Sequence, residues 1–173
     1  PTPLPRITYN EAMNRYGSDK PDTRYGMELI DITDEVSSSE FVVFKSATAE
    51  GGTVRAINAK NAVSALSRKE IDKLTDYVKG IGAKGLAWIR MTDDGVSSSF
   101  AKFMTEDEMN AILKKTGAEK GDVILIVADK IKNHVLTVLG ALRQKVAKKL
   151  DIIPEGKYNF LWITEYPFYE YDE

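Results

Sequence analysis

The chain has 173 residues, 43% hydrophobic and 29% charged, which suits one soluble globular domain or one domain with appendages. A formal net charge of −2 is not the basic footprint of a dedicated nucleic-acid binder, so any RNA contact has to be local or carried by a neighbouring domain. The absence of cysteine rules out disulfide staples and thiol catalysis and fits the cytosol, and a single histidine, His134, argues against a zinc cluster.

No apolar run approaches the ~20 residues that span a bilayer, and no signal peptide is read. Pro1-Thr2-Pro3 starts the chain without Met, as expected for a cut from a longer protein, although Met removal leaves the same start. Residues 1–8 read as extended. Thr8 and Glu11 have capping-box spacing, so a helix is expected from Tyr9 to Tyr16, with Gly17 just past its end. Residues 18–28 read as a charged loop. Phe41-Val42-Val43-Phe44 predicts a short strand, Ala49 to Gly52 a turn and Thr53 to Asn58 a second strand, together a hairpin.

Ser67 and Glu70 repeat the box, and Ile71, Leu74, Val78 and Ile81 follow at helical spacing, predicting a helix over 68–81. Leu86 to Met91 predicts a strand closed by Asp93-Asp94-Gly95. Thr105 and Glu108 open a helix ending near Gly117, and Val123 to Val127 is a buried strand. From Asp129 the longest helix is expected, to Leu150, on a stripe of Ile131, Val135, Val138, Leu139, Leu142 and Val146; Pro154 follows as a stop. Phe160 to Thr164 closes the chain as a strand. Single-stripe helices imply one helical layer on one face of a sheet, an α+β two-layer sandwich.

Few motifs carry chemistry. Ser99-x-x-Lys102 and Lys115-Thr116-Gly117 match two elements of a penicillin-binding set, but the third element is missing, and Gly117 reads better as a helix cap. Ser18, Asp19, Lys20 and Asp22 form a turn-rich loop, read as a rigid junction with Asp19 and Asp22 pairing Lys20 and Arg24, or else as a contact to ATP, aspartate or tRNA. Arg143, Lys145, Lys148 and Lys149 could meet RNA phosphates. As a set of four they scatter around the helix, and cations at a helix C-terminus also answer the macrodipole. His134 reads as structural. Trp162, Tyr166, Phe168, Tyr169 and Tyr171 crowd the end with four acids that disfavour RNA stacking. They read as a strand of a larger core, sticky enough when bare to drive dimerisation.

Three sets of residues carry a family resemblance. They are Pro5-Arg6-Ile7-Thr8-Tyr9-Asn10-Glu11-Ala12-Met13 with Tyr16-Gly17-Ser18-Asp19-Lys20-Pro21-Asp22-Thr23-Arg24; Gly82-Ala83-Lys84-Gly85-Leu86-Ala87 and Gly140-Ala141-Leu142-Arg143; and Phe160-Leu161-Trp162-Ile163-Thr164-Glu165-Tyr166-Pro167. Together they resemble the insertion (GAD) domain of bacterial-type aspartyl-tRNA synthetase and its borders, over essentially the whole chain. The family more often has Asp-Phe-Pro where Glu165-Tyr166-Pro167 stands.

The resemblance implies a largely antiparallel, DCoH-like sheet backed by helices. Residues 1–28 would be a junction from a class II catalytic core, 29–153 the insertion domain and 154–173 a return strand. It implies a parent enzyme that uses ATP and Mg²⁺ to charge tRNA-Asp and acts as a cytoplasmic homodimer off the membrane. The three class II motifs have no match here, so no catalytic, ATP-binding or metal residue and no cofactor is expected of this chain. The implied role is positioning the tRNA acceptor end, with Arg143, Lys145 and Lys148 as contacts. The alternatives are a module that braces the core or the dimer, or a free-standing adaptor.

Overall fold

The computed structural model describes residues 3–169; Tyr171, three of the four C-terminal acids and the chain start lie outside them. β1 (Arg6–Thr8) leads directly into α1 (Tyr9–Tyr16). The Thr8 hydroxyl accepts the Glu11 N–H at 3.1 Å, and Gly17 closes the helix in the left-handed region at φ 65°. All three expected N-caps are present, but only Thr105 with Glu108 completes the reciprocal box. The carboxylates of Glu11 and Glu70 turn outward to Arg15 and to Lys73 and Lys149 instead.

β2 (Ile30–Asp31), β3 (Thr53–Ala59), β4 (Ala87–Thr92), β5 (Gly95–Ser98) and β6 (Val123–Asp129) form one sheet in the order β2-β3-β6-β4-β5. Every pairing in it is antiparallel. A second, two-stranded sheet joins β1 to β7 (Trp162–Thr164) in parallel, with Arg6 opposite Trp162 and Thr8 opposite Thr164. The helices are α2 (Val42–Ala49), α3 (Arg68–Gly80), α4 (Glu106–Thr116) and α5 (Lys132–Lys149). The α+β class and the antiparallel sheet match the sequence reading.

Three local expectations change. Phe41 to Phe44 is not a strand: Val42 opens α2, so there is no hairpin, and β3 pairs with β2 and β6. A four-residue apolar run does not separate strand from helix. Here Phe44 and Ala47 face inward on helical spacing while Val42 is 71% exposed. β5 was missed because Val96-Ser97-Ser98 is an edge strand with little apolar signal. α5 begins at Lys132, because β6 runs on to Asp129, whose carboxylate accepts the Ile131 N–H at 3.0 Å and turns the chain.

Both faces of the central strands are covered. α3 and α5 pack on Ile57, Ala59, Trp88, Val123, Leu125 and Val127. The alternate residues Val54, Ala56, Ile89, Ile124 and Ile126 pack under Phe44 of α2, Ile112 of α4 and Phe100. The helical backing therefore extends beyond the single layer expected, because α2 and α4 cover the second face. Each fully buried Ile, Leu or Phe contributes roughly 1.5–3 kcal/mol, so this double-sided core holds the sheet as a rigid platform.

Candidate functional site

α5 carries two buried stripes. Val135, Val138, Leu139, Leu142 and Val146 face the sheet. Leu136, Gly140, Arg143 and Ala147, at spacings of four, three and four, are also buried. Along this second stripe α1 ends against α5. A Cβ added to Gly140 would overlap the Gly17 carbonyl, and one on Gly17 would overlap the Leu136 carbonyl. The two backbones touch, which only glycine at both places permits.

Arg143 lies one turn further along α5 and is 1% exposed. Its guanidinium donates through Nε to the Met27 carbonyl at 2.9 Å, through Nη2 to the Gly26 and Asp22 carbonyls at 2.6 and 2.8 Å, and through Nη1 to the Tyr25 hydroxyl at 3.0 Å. The faces of Tyr25 and Tyr16 sit 4.2 and 5.0 Å from its central carbon. Burial lowers the Arg143 pKa, and Tyr25 and Tyr16 oppose that shift. The fork holds three carbonyls of one loop, in which Met27 adopts a left-handed φ of 54°. Such a conformation costs about 1–3 kcal/mol and persists only where its surroundings over-determine it.

The same loop ties the chain ends. Arg24 pairs with the Asp22 carboxylate at 2.7 Å and donates to the Pro154 and Lys157 carbonyls at 3.2 and 3.1 Å. Hydrogen bonding to Arg24 holds the Asp22 carboxyl below its ordinary range. The Ser18 hydroxyl accepts the Lys20 N–H, and the Asp19 carbonyl accepts the Tyr166 hydroxyl at 3.2 Å. Lys20 is exposed, and among the described residues no Asp19–Lys20 ion pair forms; of the two expected pairs, Asp22–Arg24 is present. Arg15 grips the Glu28 carboxylate with Nε and Nη2 at 2.8 and 2.7 Å, holding it below its usual range.

Arg143 thus leaves the set of surface cations: it is buried, and its donors point at backbone. Without it, Lys145, Lys148 and Lys149 stand three and four residues apart and share one side of α5, so the four-residue scatter expected from the sequence came from Arg143 alone. Lys145 rests over the Tyr77 ring at 4.3 Å, Lys149 pairs with Glu70 and Lys148 is exposed. Glu70 also binds Lys73 at 2.6 Å, and hydrogen bonds from Lys149 and Lys73 lower its pKa to about 2. On this side of α3 and α5 the Glu70 carboxylate therefore holds two lysines, Lys73 and Lys149.

The remaining motifs do not converge. The Ser99 hydroxyl accepts the Trp88 N–H, Lys102 lies over Phe103 and Lys115 pairs with Glu35. His134 stands 4.0 Å from Asp129. Among the described residues no cluster of three or more His, Cys, Asp or Glu could hold a metal, and no helix is long and apolar enough to cross a membrane. Beside β1 and β7 an open cleft of about 470 Å³ is lined by Leu4, Ile7, Tyr16, Tyr158 and Phe160. Trp162, Phe168 and Tyr169 are 58, 95 and 90% exposed nearby.

Comparison with known proteins places these features in context. The family described as GAD domain matches residues 44–139. The aspartate–tRNA(Asp/Asn) ligases of Geobacillus sp. (strain WCH70) and Anoxybacillus flavithermus are each 53% identical over 171 residues, covering 99% of this chain and 29% of the relative. The aspartate–tRNA ligase of Clostridium botulinum (strain Hall) is 55% identical over 171 residues, covering 99% and 28%. The chain spans less than a third of the length of these curated relatives.

Proposed function

On the premise that this chain belongs to the GAD domain family, we propose that it is the accessory insertion domain of an aspartate–tRNA ligase and helps to position the tRNA acceptor end. The single observation that carries this reading is the two-sided use of α5. One side is seated on the junction loop by Arg143, and another presents Lys145, Lys148 and Lys149. Lysines at this spacing can neutralise neighbouring phosphates, a contact that positions RNA without reading its sequence. Residues 1–28 act as the junction, 29–153 as the inserted domain and 154–173 as the return into the host. Identity near 53–55% along nearly the whole chain supports this division, because it extends past the family match on both sides.

The whole enzyme would be a cytoplasmic homodimer that activates aspartate with ATP and Mg²⁺ and transfers it to tRNA-Asp. No residue of this chain is assigned to ATP, metal or catalysis. The chain alone is expected to give no aspartate-dependent pyrophosphate exchange; exchange above background would overturn that assignment. A second reading, a module that braces the core, is favoured by one observation: Arg143, a cation of the expected contact set, is committed to the junction.

Fluorescence titration with tRNA-Asp at about 50 and 200 mM salt separates the two, because phosphate contacts weaken steeply with salt. Salt-sensitive binding above that of an unrelated tRNA supports positioning. Absence of binding at both salts overturns autonomous contact and leaves bracing.

A further inference from the structure

We propose that Arg143 is a positioning residue for tRNA charging: it fixes the direction in which α5 presents Lys145, Lys148 and Lys149. This rests on the reading that those lysines meet tRNA.

The geometry of the seat is the first ground. An apolar side chain of similar volume would fill the space but leave the carbonyl acceptors without their donor. It would not hold three carbonyls and a hydroxyl in fixed directions, as the planar guanidinium does. The second ground is the glycine crossing, which removes slack between α1 and α5 one turn away. The third is continuity. The loop held by Arg143 follows β1 and α1 in the chain and is bonded through Arg24 to the Pro154 and Lys157 carbonyls on the segment leading to β7. Any orientation imposed at the chain ends reaches α5 through this loop.

The lysines follow within two to six residues of Arg143, roughly 3–9 Å along the helix axis. Rotation allowed at the anchor therefore displaces them almost undiminished. The spacing of cation to anchor is set by one helix, and its direction by one guanidinium.

The test uses the full-length enzyme that carries this domain, with Arg143→Lys, which keeps the charge and loses the fork. The expected result is a KM for tRNA raised on the order of tenfold, with pyrophosphate exchange unchanged. In a Lys145→Ala/Lys148→Ala background the same substitution should have little further effect, because both changes act through one contact. A normal KM in Arg143→Lys, or effects that simply add, would overturn the inference. If the double lysine variant alone has a normal KM for tRNA, the lysine contact fails and the inference falls with it. A raised KM there beside a normal KM in Arg143→Lys sinks only the inference. Should Arg143→Lys fail to fold, Tyr25→Phe keeps the ring face and removes one acceptor. It should raise KM in the same direction, roughly twofold, and an unchanged KM would count against the proposal.

Discussion

Two sets of cations on α5 look alike in sequence and differ completely in place. Arg143 is sealed against backbone carbonyls, while Lys145 and Lys148, two and five residues on, stand at the surface. The difference follows from helix period and side-chain chemistry. Arg143 lies in register with Leu136, Gly140 and Ala147 and carries a fork that can satisfy several carbonyls while buried. The lysines lie off that register, and their ammonium groups remain hydrated or rest against Tyr77 and Glu70. A cation's position relative to the helix stripe thus says more about its role than its charge does.

The largest expected effect comes from emptying the seat. Arg143→Met should cost about 2–4 kcal/mol, read as a shift in the urea midpoint, because three partly buried carbonyls lose their donor. A loss within experimental error would erase the contrast between the two sets. Next is Gly140→Ala, where the added methyl meets the Gly17 carbonyl and overpacking should cost about 1–3 kcal/mol despite the better helix propensity. A stabilised variant would mean that α1 can move away.

Alkaline pH should act on the seat. Burial raises the pKa of Tyr25, with Arg143 opposing, and burial also raises that of Tyr16, helped by Glu28. A folded-state pKa above the unfolded one gives stability that is complete below about pH 10 and lost as pH rises through the folded value. Chemical denaturation between about pH 9 and 11 should show that fall, and Tyr25→Phe should flatten it. The smallest effect on stability belongs to Lys148→Ala, within about 0.5 kcal/mol. If tRNA binds there, the same change should lower the salt slope of binding by about one.

Much of the frame was legible in the sequence because it depends on local chemistry. Thr8, Ser67 and Thr105 announced their helices through caps, and Val123 to Val127 announced a buried strand through unbroken apolarity. α2 was not legible, since its two exposed valines break the amphipathic pattern. The seat was half legible. Tyr16-Gly17 and Gly140-Ala141-Leu142-Arg143 stood out separately, and only the fold shows that they are two halves of one contact. A spacing signal existed in Leu136, Gly140, Arg143 and Ala147, but glycine and arginine do not register on a hydrophobic scale. The direction of a side chain such as Arg143 is settled by partners more than a hundred residues away, which no local pattern encodes.

The parallel pairing of β1 with β7 has a consequence for engineering. Parallel neighbours cannot be joined by a tight turn; they need a crossover of about a dozen residues or more. Everything between Thr8 and Trp162 is, topologically, one enlarged crossover loop. A deletion that closes this gap with two or three residues should therefore tear the strand pair apart. A helix-length linker should preserve it and yield a host stripped of its insertion.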